Sequence, residues 1–209
     1  MTATTAPTPA MPRVPQVFAF LFCSVDGFVE DADRRLDWNT DDPELFVWKG
    51  RQARQTPHVG ALLLGRRTYD HFAEFWTTAE ASERYPEIAA FMQAVPKAVV
   101  TNRPGSLPSW HGAHPADGTD LPGVVERLRE EHDGDLAVFG SSELAARLLE
   151  QGLLDELRIV VSPMLLGSGT GLFQGLDTRV ALTPGPVTTF PSGNILLTYA
   201  PQAPEGRGA

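Results

Sequence analysis

The chain has one cysteine, no long apolar run, no block of lysine or arginine, and neither of two common enzyme fingerprints. A lone Cys23 excludes a disulfide within the chain and fits a reducing cytoplasm. Its seat in an apolar run reads as core, not nucleophile. No stretch is long and apolar enough to cross a bilayer, so a membrane is not an expected partner. Met1 to Pro15 is rich in Thr, Ala and Pro with no apolar h-region, so it reads as a disordered leader and not a signal peptide. Pro201 to Ala209 reads as a second loose end. Seventeen basic residues against 26 acidic give a formal net charge of −9, and nucleic acid is not an expected partner. No G-x-G-x-x-G follows a strand pattern, which removes the ordinary Rossmann reading, and no G-x-S-x-G elbow occurs, which disfavours a hydrolase.

What is present fits one α/β domain over residues 16–200. Val17 to Val25 is a buried strand pattern ending in the turn signal Asp26-Gly27. A polar loop closes on Asp37-Trp38. Asp41-Asp42-Pro43 then predicts a helix start, running through Leu45 and Trp48 to Gln55. Gly60 to Leu64 predicts a second buried strand, followed by Tyr69, Phe72, Phe75 and Trp76 at helical spacing. Glu83 to Val95 predicts a helix with Pro86 in its first turn, and Lys97 to Thr101 a third strand. Ser106 to Gly118 reads as loop; its His111 and His114 have no third ligand in reach, so no metal site is expected. Asp120 caps a helix through about His132. Val187 to Phe190 and Ile195 to Tyr199 predict a hairpin.

The most informative stretch is Leu136 to Phe173. Leu136 to Phe139 predicts a strand, Gly140 stops it, and Ser141, Ser142 and Glu143 open a helix that ends at Gly152. A strand follows from about Glu156 to Ser162, then Gly167 to Gly171, too glycine-rich for regular structure. A strand that turns through glycine into a helix aims free N–H groups and the positive end of the helix dipole at one spot, where an anion fits. A tight turn capped by serines explains the same residues, and both readings stand. Alternation of strand and helix with a closing hairpin predicts a three-layer α/β/α fold, its mixed sheet mostly parallel.

Three strand exits then gain meaning together: Gly65-Arg66-Arg67-Thr68, Thr101-Asn102-Arg103 and Gly140-Ser141-Ser142. Open α/β sheets bind ligands at such C-terminal ends. Two carry arginine and hydroxyl groups and the third is a helix N-terminus, which suits phosphates spread over a distance. A dinucleotide with an extra phosphate monoester, NADPH, meets that description.

The segments VFAFLFCSVDGFV, ALLLGRRTYDHF, KAVVTNRP and LAVFGSSELAARLLEQGLLDELRIVVSPMLLGSGTGLF resemble the dihydrofolate reductase-like superfamily, closest to the reductase (C-terminal) domain of the bacterial riboflavin biosynthesis deaminase-reductase and its stand-alone relatives. The resemblance spans roughly Val17 to Tyr199. It implies an NADPH-dependent reductase of a small heterocycle, akin to 5-amino-6-(5-phosphoribosylamino)uracil reductase. It also implies that Gly65, Arg66 and Thr68 meet the adenosine 2′-phosphate, helped by Thr101, Asn102 and Arg103. Gly140, Ser141, Ser142 and Glu143 would hold the pyrophosphate and nicotinamide. Substrate would lie between Asp26-Gly27 and the loop around Asp37-Trp38, with Leu166 and Gly167 closing beside it. The superfamily's helix acid after Trp-Asn has no match behind Trp38-Asn39, so a folate substrate is disfavoured. The H-x-E and P-C-x-x-C elements of a zinc deaminase are absent, leaving a stand-alone reductase.

Such chemistry needs a hydride donor placed against an electrophilic carbon, and one proton. Asp26 is the first candidate to relay that proton and Asp37 the second; Asp26 as a mere turn residue is the competing reading. A non-catalytic nucleotide- or small-molecule-binding protein on the same scaffold, and a pterin or dihydrofolate reductase, are the alternative functions. A homodimer is expected, paired over apolar residues that Glu156 to Val161 and Ile195 to Tyr199 would leave on an exposed edge.

Overall fold

The computed structural model describes residues 14–38, 45 and 58–202. The leader up to residue 13, the end of the chain from 203, and the helix expected from Asp41 to Gln55, apart from Leu45, lie outside the described residues. Ten strands are described: β1 (Val17–Ser24), β2 (Phe28–Asp31), β3 (Val59–Gly65), β4 (Lys97–Val100), β5 (Ala113–Ala116), β6 (Asp135–Phe139), β7 (Glu156–Ser162), β8 (Gly169–Gly171), β9 (Leu182–Thr189) and β10 (Ile195–Pro201). The helices are α1 (Arg66–Trp76), α2 (Ala79–Arg84), α3 (Pro86–Ala94), α4 (Leu121–Glu131) and α5 (Ser142–Glu150).

Eight strands form one sheet in the order β5-β4-β3-β6-β1-β7-β10-β9. The pairs from β5 to β7 are parallel, and β10 and β9 close the sheet antiparallel. Alternation along β1 sorts the core. Val17, Ala19, Leu21 and Cys23 pack with α4 and α5 on one face, while Phe18 and Phe20 pack with α1, α2 and α3 on the other. This is the expected three-layer fold.

Several boundaries differ from expectation for physical reasons. The helix predicted from Glu83 divides at Tyr85, because Pro86 lacks an N–H and occupies the first position of a new helix. The predicted loop from Ser106 to Gly118 contains β5, an outer strand that no apolar run announces. The glycine-rich loop contains β8, which pairs with β2 in a separate two-stranded ribbon. β9 starts at Leu182, five residues before the expected Val187, since Pro184 and Pro186 are tolerated on an outer strand. The exposed edge expected at Glu156–Val161 and Ile195–Tyr199 is corrected too: β7 lies between β1 and β10, and β9 covers β10.

One buried cation carries a pH signature. Lys97 opens β4 fully buried, its Nζ donating to the carbonyls of Val95 (2.7 Å) and His111 (3.2 Å) and lying 4.3 Å from the centre of the Trp110 ring. Desolvation by burial lowers its pKa to about 8 from 10.5. Between those values the unfolded chain holds a proton that the folded chain has released, so stability rises with pH from about 8 to 10.5, and below 8 the cost of burial is complete. A shift of this size corresponds to on the order of 3 kcal/mol. Cys23, raised to about 11 by desolvation, acts in the opposite sense above its ordinary value of 9.0. Denaturant titrations across this window should therefore show a Lys97-dependent rise in stability that is missing in Lys97→Met, while the cysteine effect remains in both. Parallel pH profiles for the two proteins would mean that Lys97 keeps an ordinary pKa in the fold.

Candidate functional site

The exits of β4, β3, β6 and β1 follow one another along one margin of the sheet, as the strand order and parallel pairing require. A cavity of about 1380 Å³ opens along that margin. Single small-ligand sites usually occupy about 300–1,000 Å³, so this one has room for two ligands side by side. Gly65, Arg66, Thr68, Thr101, Asn102, Arg103, Gly140, Ser141, Ser142 and Glu143 all line it, as does Trp38. From Gly65 to Glu143, residues up to 78 positions apart in sequence are thus brought together by the parallel strand pairing.

The β3 and β6 exits are tied by a hydroxyl knot. Gly65 N–H donates to Ser141 Oγ (2.9 Å), while Ser141 Oγ and Ser141 N–H both donate to Thr68 Oγ1 (2.8 and 3.1 Å). Ser141 was expected to cap α5 with its side chain; instead that side chain fixes the neighbouring turn, and α5 has no side-chain cap. Gly140 and Ser141 are both left-handed, with φ of 65° and 49°. For serine this conformation costs about 1–2 kcal/mol, a strain that the knot offsets. A Cβ on Gly140 would meet Thr68 Cγ2 at 3.0 Å, so only glycine fits the turn.

The N-terminus of α1 also lacks a side-chain cap, and its first turn has no acid. By contrast α2 and α4 are capped by the side chains of Thr78 and Asp120. α3 has no side-chain cap either, but Pro86 and the acidic Glu87 occupy its first turn, whereas the starts of α1 and α5 sit at the exits of β3 and β6 with amides that no side chain caps, which leaves them for an anion. Arg66 is held in place beside them. Its Nε donates to both carboxylate oxygens of Asp70 (2.9 Å each), Nη1 to Ser106 Oγ (2.9 Å) and Nη2 to the Ser106 carbonyl (2.8 Å). Three of its five N–H donors are used and two are available. Arg103 is exposed on the adjacent loop.

The expected substrate side is rearranged. Asp26, Gly27, Asp37, Leu166 and Gly167 are not among the residues lining the cavity. Asp26 accepts from the Ser24 hydroxyl (2.6 Å), Leu166 N–H (3.1 Å) and Gly167 N–H (2.7 Å). First the serine bond and then the Gly167 amide hold its carboxyl below the ordinary value. Asp26 is exposed, and its carboxylate clamps the 166–167 loop against the end of β1. Asp37 is exposed.

Sequence reasoning missed two groups that do line the cavity. One is the ring wall of Phe20, Phe22, Phe72, Phe91 and Phe139, where Phe20 lies edge-on to Phe22 (5.5 Å between centroids) and to Phe139 (6.2 Å). The other is Glu30 on β2, 7% exposed. Thr170, opposite it on β8, donates its hydroxyl to Glu30 Oε1 (2.6 Å), and Arg67 Nη2 approaches the same oxygen (3.4 Å). No group of His, Cys, Asp and Glu suited to a metal ion occurs among the described residues, and none of the described helices is long and apolar enough to cross a membrane.

Comparison with known proteins agrees with this architecture. YyaP of Bacillus subtilis (strain 168), a protein without an assigned role, is 23% identical over 179 residues, covering 86% of this chain and 91% of the relative. The deaminase and 5-amino-6-(5-phosphoribosylamino)uracil reductase of Thermotoga maritima superposes with a TM-score of 0.64 at 16% identity, over 90% of this chain and 57% of that one. Dihydrofolate reductase of Enterococcus faecalis, solved with NADP(H), gives a TM-score of 0.56 at 15% identity, over 90% of this chain and 96% of that one. Residues 15–196 match the family described as the RibD C-terminal domain. With the dihydrofolate reductase-like fold in place and the match running through nearly the whole sheet, the chain belongs to the RibD C-terminal domain family.

Proposed function

We propose that the chain is an NADPH-dependent reductase of a small nitrogen heterocycle. The observation that carries this reading is that the starts of α1 and α5, both without side-chain caps, are tied together by the Ser141 knot and face one cavity with Arg66 and Arg103 at its β3–β4 end. Spacing along the sheet supports the order of parts. Thr101 to Arg103 and Gly65 to Thr68 suit the adenosine 2′-phosphate, and the amides of Ser142 and Glu143 suit the pyrophosphate. The ring wall at the β6 and β1 exits then remains for the nicotinamide and the substrate. The donor set fits the group: amides at two uncapped helix starts and the guanidinium groups of Arg66 and Arg103 line one cavity.

When bound, the cofactor supplies a hydride to an electrophilic C=N or C=O carbon. The protein's part is positional. Arg66 orients one end through donors already fixed by Asp70 and Ser106, and the phenylalanine wall excludes water where charge moves. Asp26 keeps the 166–167 loop against the end of β1. Titration calorimetry with NADPH and NADH, followed by NADPH oxidation in the presence of pyrimidine and pterin candidates, tests the reading. Tight NADPH binding with turnover of one candidate supports it. Binding without turnover across such a set favours the non-catalytic alternative, and no binding of either dinucleotide overturns it.

A further inference from the structure

Glu30 is the acid that the cavity itself points to. Its Oε1 is occupied by the Thr170 hydroxyl and the Arg67 guanidinium, while Oε2 accepts no hydrogen bond among the described residues. Because the residue is 7% exposed and lines the cavity, that unfilled oxygen has the cavity to turn to and almost no bulk water. Oε2 is thus accessible from the cavity, and a ligand that brings an N–H to this sparsely hydrated oxygen makes a charge-assisted hydrogen bond there. Trp38, on the same cavity, has the opposite need: its Nε1–H is buried and finds no acceptor. Both groups line the same cavity as Phe20, Phe22 and Phe139, whose rings offer flat apolar surface. An acceptor and a donor in an aromatic chamber match a planar heterocycle that carries ring N–H and C=O groups.

We propose that Glu30 is the substrate-anchoring carboxylate of this site, its Oε2 accepting a hydrogen bond from a ring N–H of a planar cyclic amide or ureide. This rests on the reductase reading for the claim that the chamber holds substrate. Its position on β2 also explains the ribbon: β8 pairs with β2 so that Thr170 lies directly opposite Glu30 and fixes the rotation of its carboxylate, leaving Oε2 for the ligand.

The test uses lumazine, which has only ring N–H donors, and 1,3-dimethyllumazine, which has none. Each is titrated by fluorescence into the full chain and into Glu30→Gln, with and without saturating NADPH. The wild-type protein should bind lumazine, Glu30→Gln should bind it about tenfold or more weakly, and the dimethyl compound should bind the wild type about as weakly as lumazine binds the variant. Matching melting temperatures for the two proteins show that the fold is retained, and a Glu30→Ala variant gives the same comparison should Glu30→Gln fail to fold. Lumazine binding equal in wild type and variant, tighter binding of the dimethyl compound, or no lumazine binding by the wild type overturns the proposal. Failure of NADPH to bind is a separate outcome: it overturns the cofactor reading, while the titrations without cofactor still decide Glu30.

Discussion

Gly140→Val is expected to lower NADPH affinity by about 100-fold or more and to destabilise the fold by about 2–4 kcal/mol. Two effects act at one atom. A β-branched side chain at a φ of 65° is a severe outlier, and its Cβ would press on Thr68 Cγ2 at 3.0 Å. Thr68 cannot yield without releasing Ser141, and Ser141 cannot yield without releasing the Gly65 amide. Relief at Gly140 therefore shifts both helix starts at once, and the amides of Ser142 and Glu143 leave the positions an anion needs. Calorimetry with NADPH, paired with urea denaturation of the free protein, separates the two losses. A folded Gly140→Val protein with normal NADPH affinity would show that the β6 turn plays no part in holding the cofactor.

Arg66→Ala is expected to weaken NADPH binding by about one to two orders of magnitude and to leave NADH nearly unchanged. A charge-assisted hydrogen bond to phosphate contributes roughly 1.5–3 kcal/mol, and only NADPH carries the monoester. The arginine is preorganised: Asp70 and Ser106 fix three of its donors, so little side-chain freedom is lost when a phosphate takes the others. The competing outcome is specific. If Arg66 only braces α1 against the Ser106 loop, its removal weakens both dinucleotides equally. Measuring both dissociation constants on one preparation distinguishes the two roles.

The fold was readable where burial is two-sided. VFAFLFCS, GALLL and LAVF are continuous apolar runs because helices cover both faces of the central strands, and each became β1, β3 or β6 within a residue or two. The same logic located the side of the cavity formed by the β3, β4 and β6 exits, since ligand chemistry gathers where such runs stop. AHPA, GTG and FVED gave no such signal. They are short, polar or proline-bearing, and pair only because distant neighbours offer them a partner. Glu30 was hidden for this reason. In sequence it stands beside Asp31 and Asp33 and reads as part of a solvated acidic stretch, while its burial depends on Thr170, 140 positions away. The surroundings of Asp26 were hidden in the same way. Beside Gly27 it reads as a proton relay or a turn residue, and nothing local announces that the amides it accepts from belong to residues 166 and 167.

The prolines of the two outer strands have a consequence for how copies of this chain can meet. Gly112 and Ala116 give their carbonyls to β4, so by the two-residue alternation of a strand Pro115 faces away from the sheet. On the far side, Ala181 accepts from Gln202 beside β10, and the same alternation turns Pro184 outward. At each margin the sheet thus shows an incoming strand a position with no amide hydrogen. Neither margin is a template for continuing the ladder, which protects crowded or freshly made chains from runaway edge-to-edge growth. Any pairing of copies is therefore expected on a face, where side chains and not backbone rungs choose the partner.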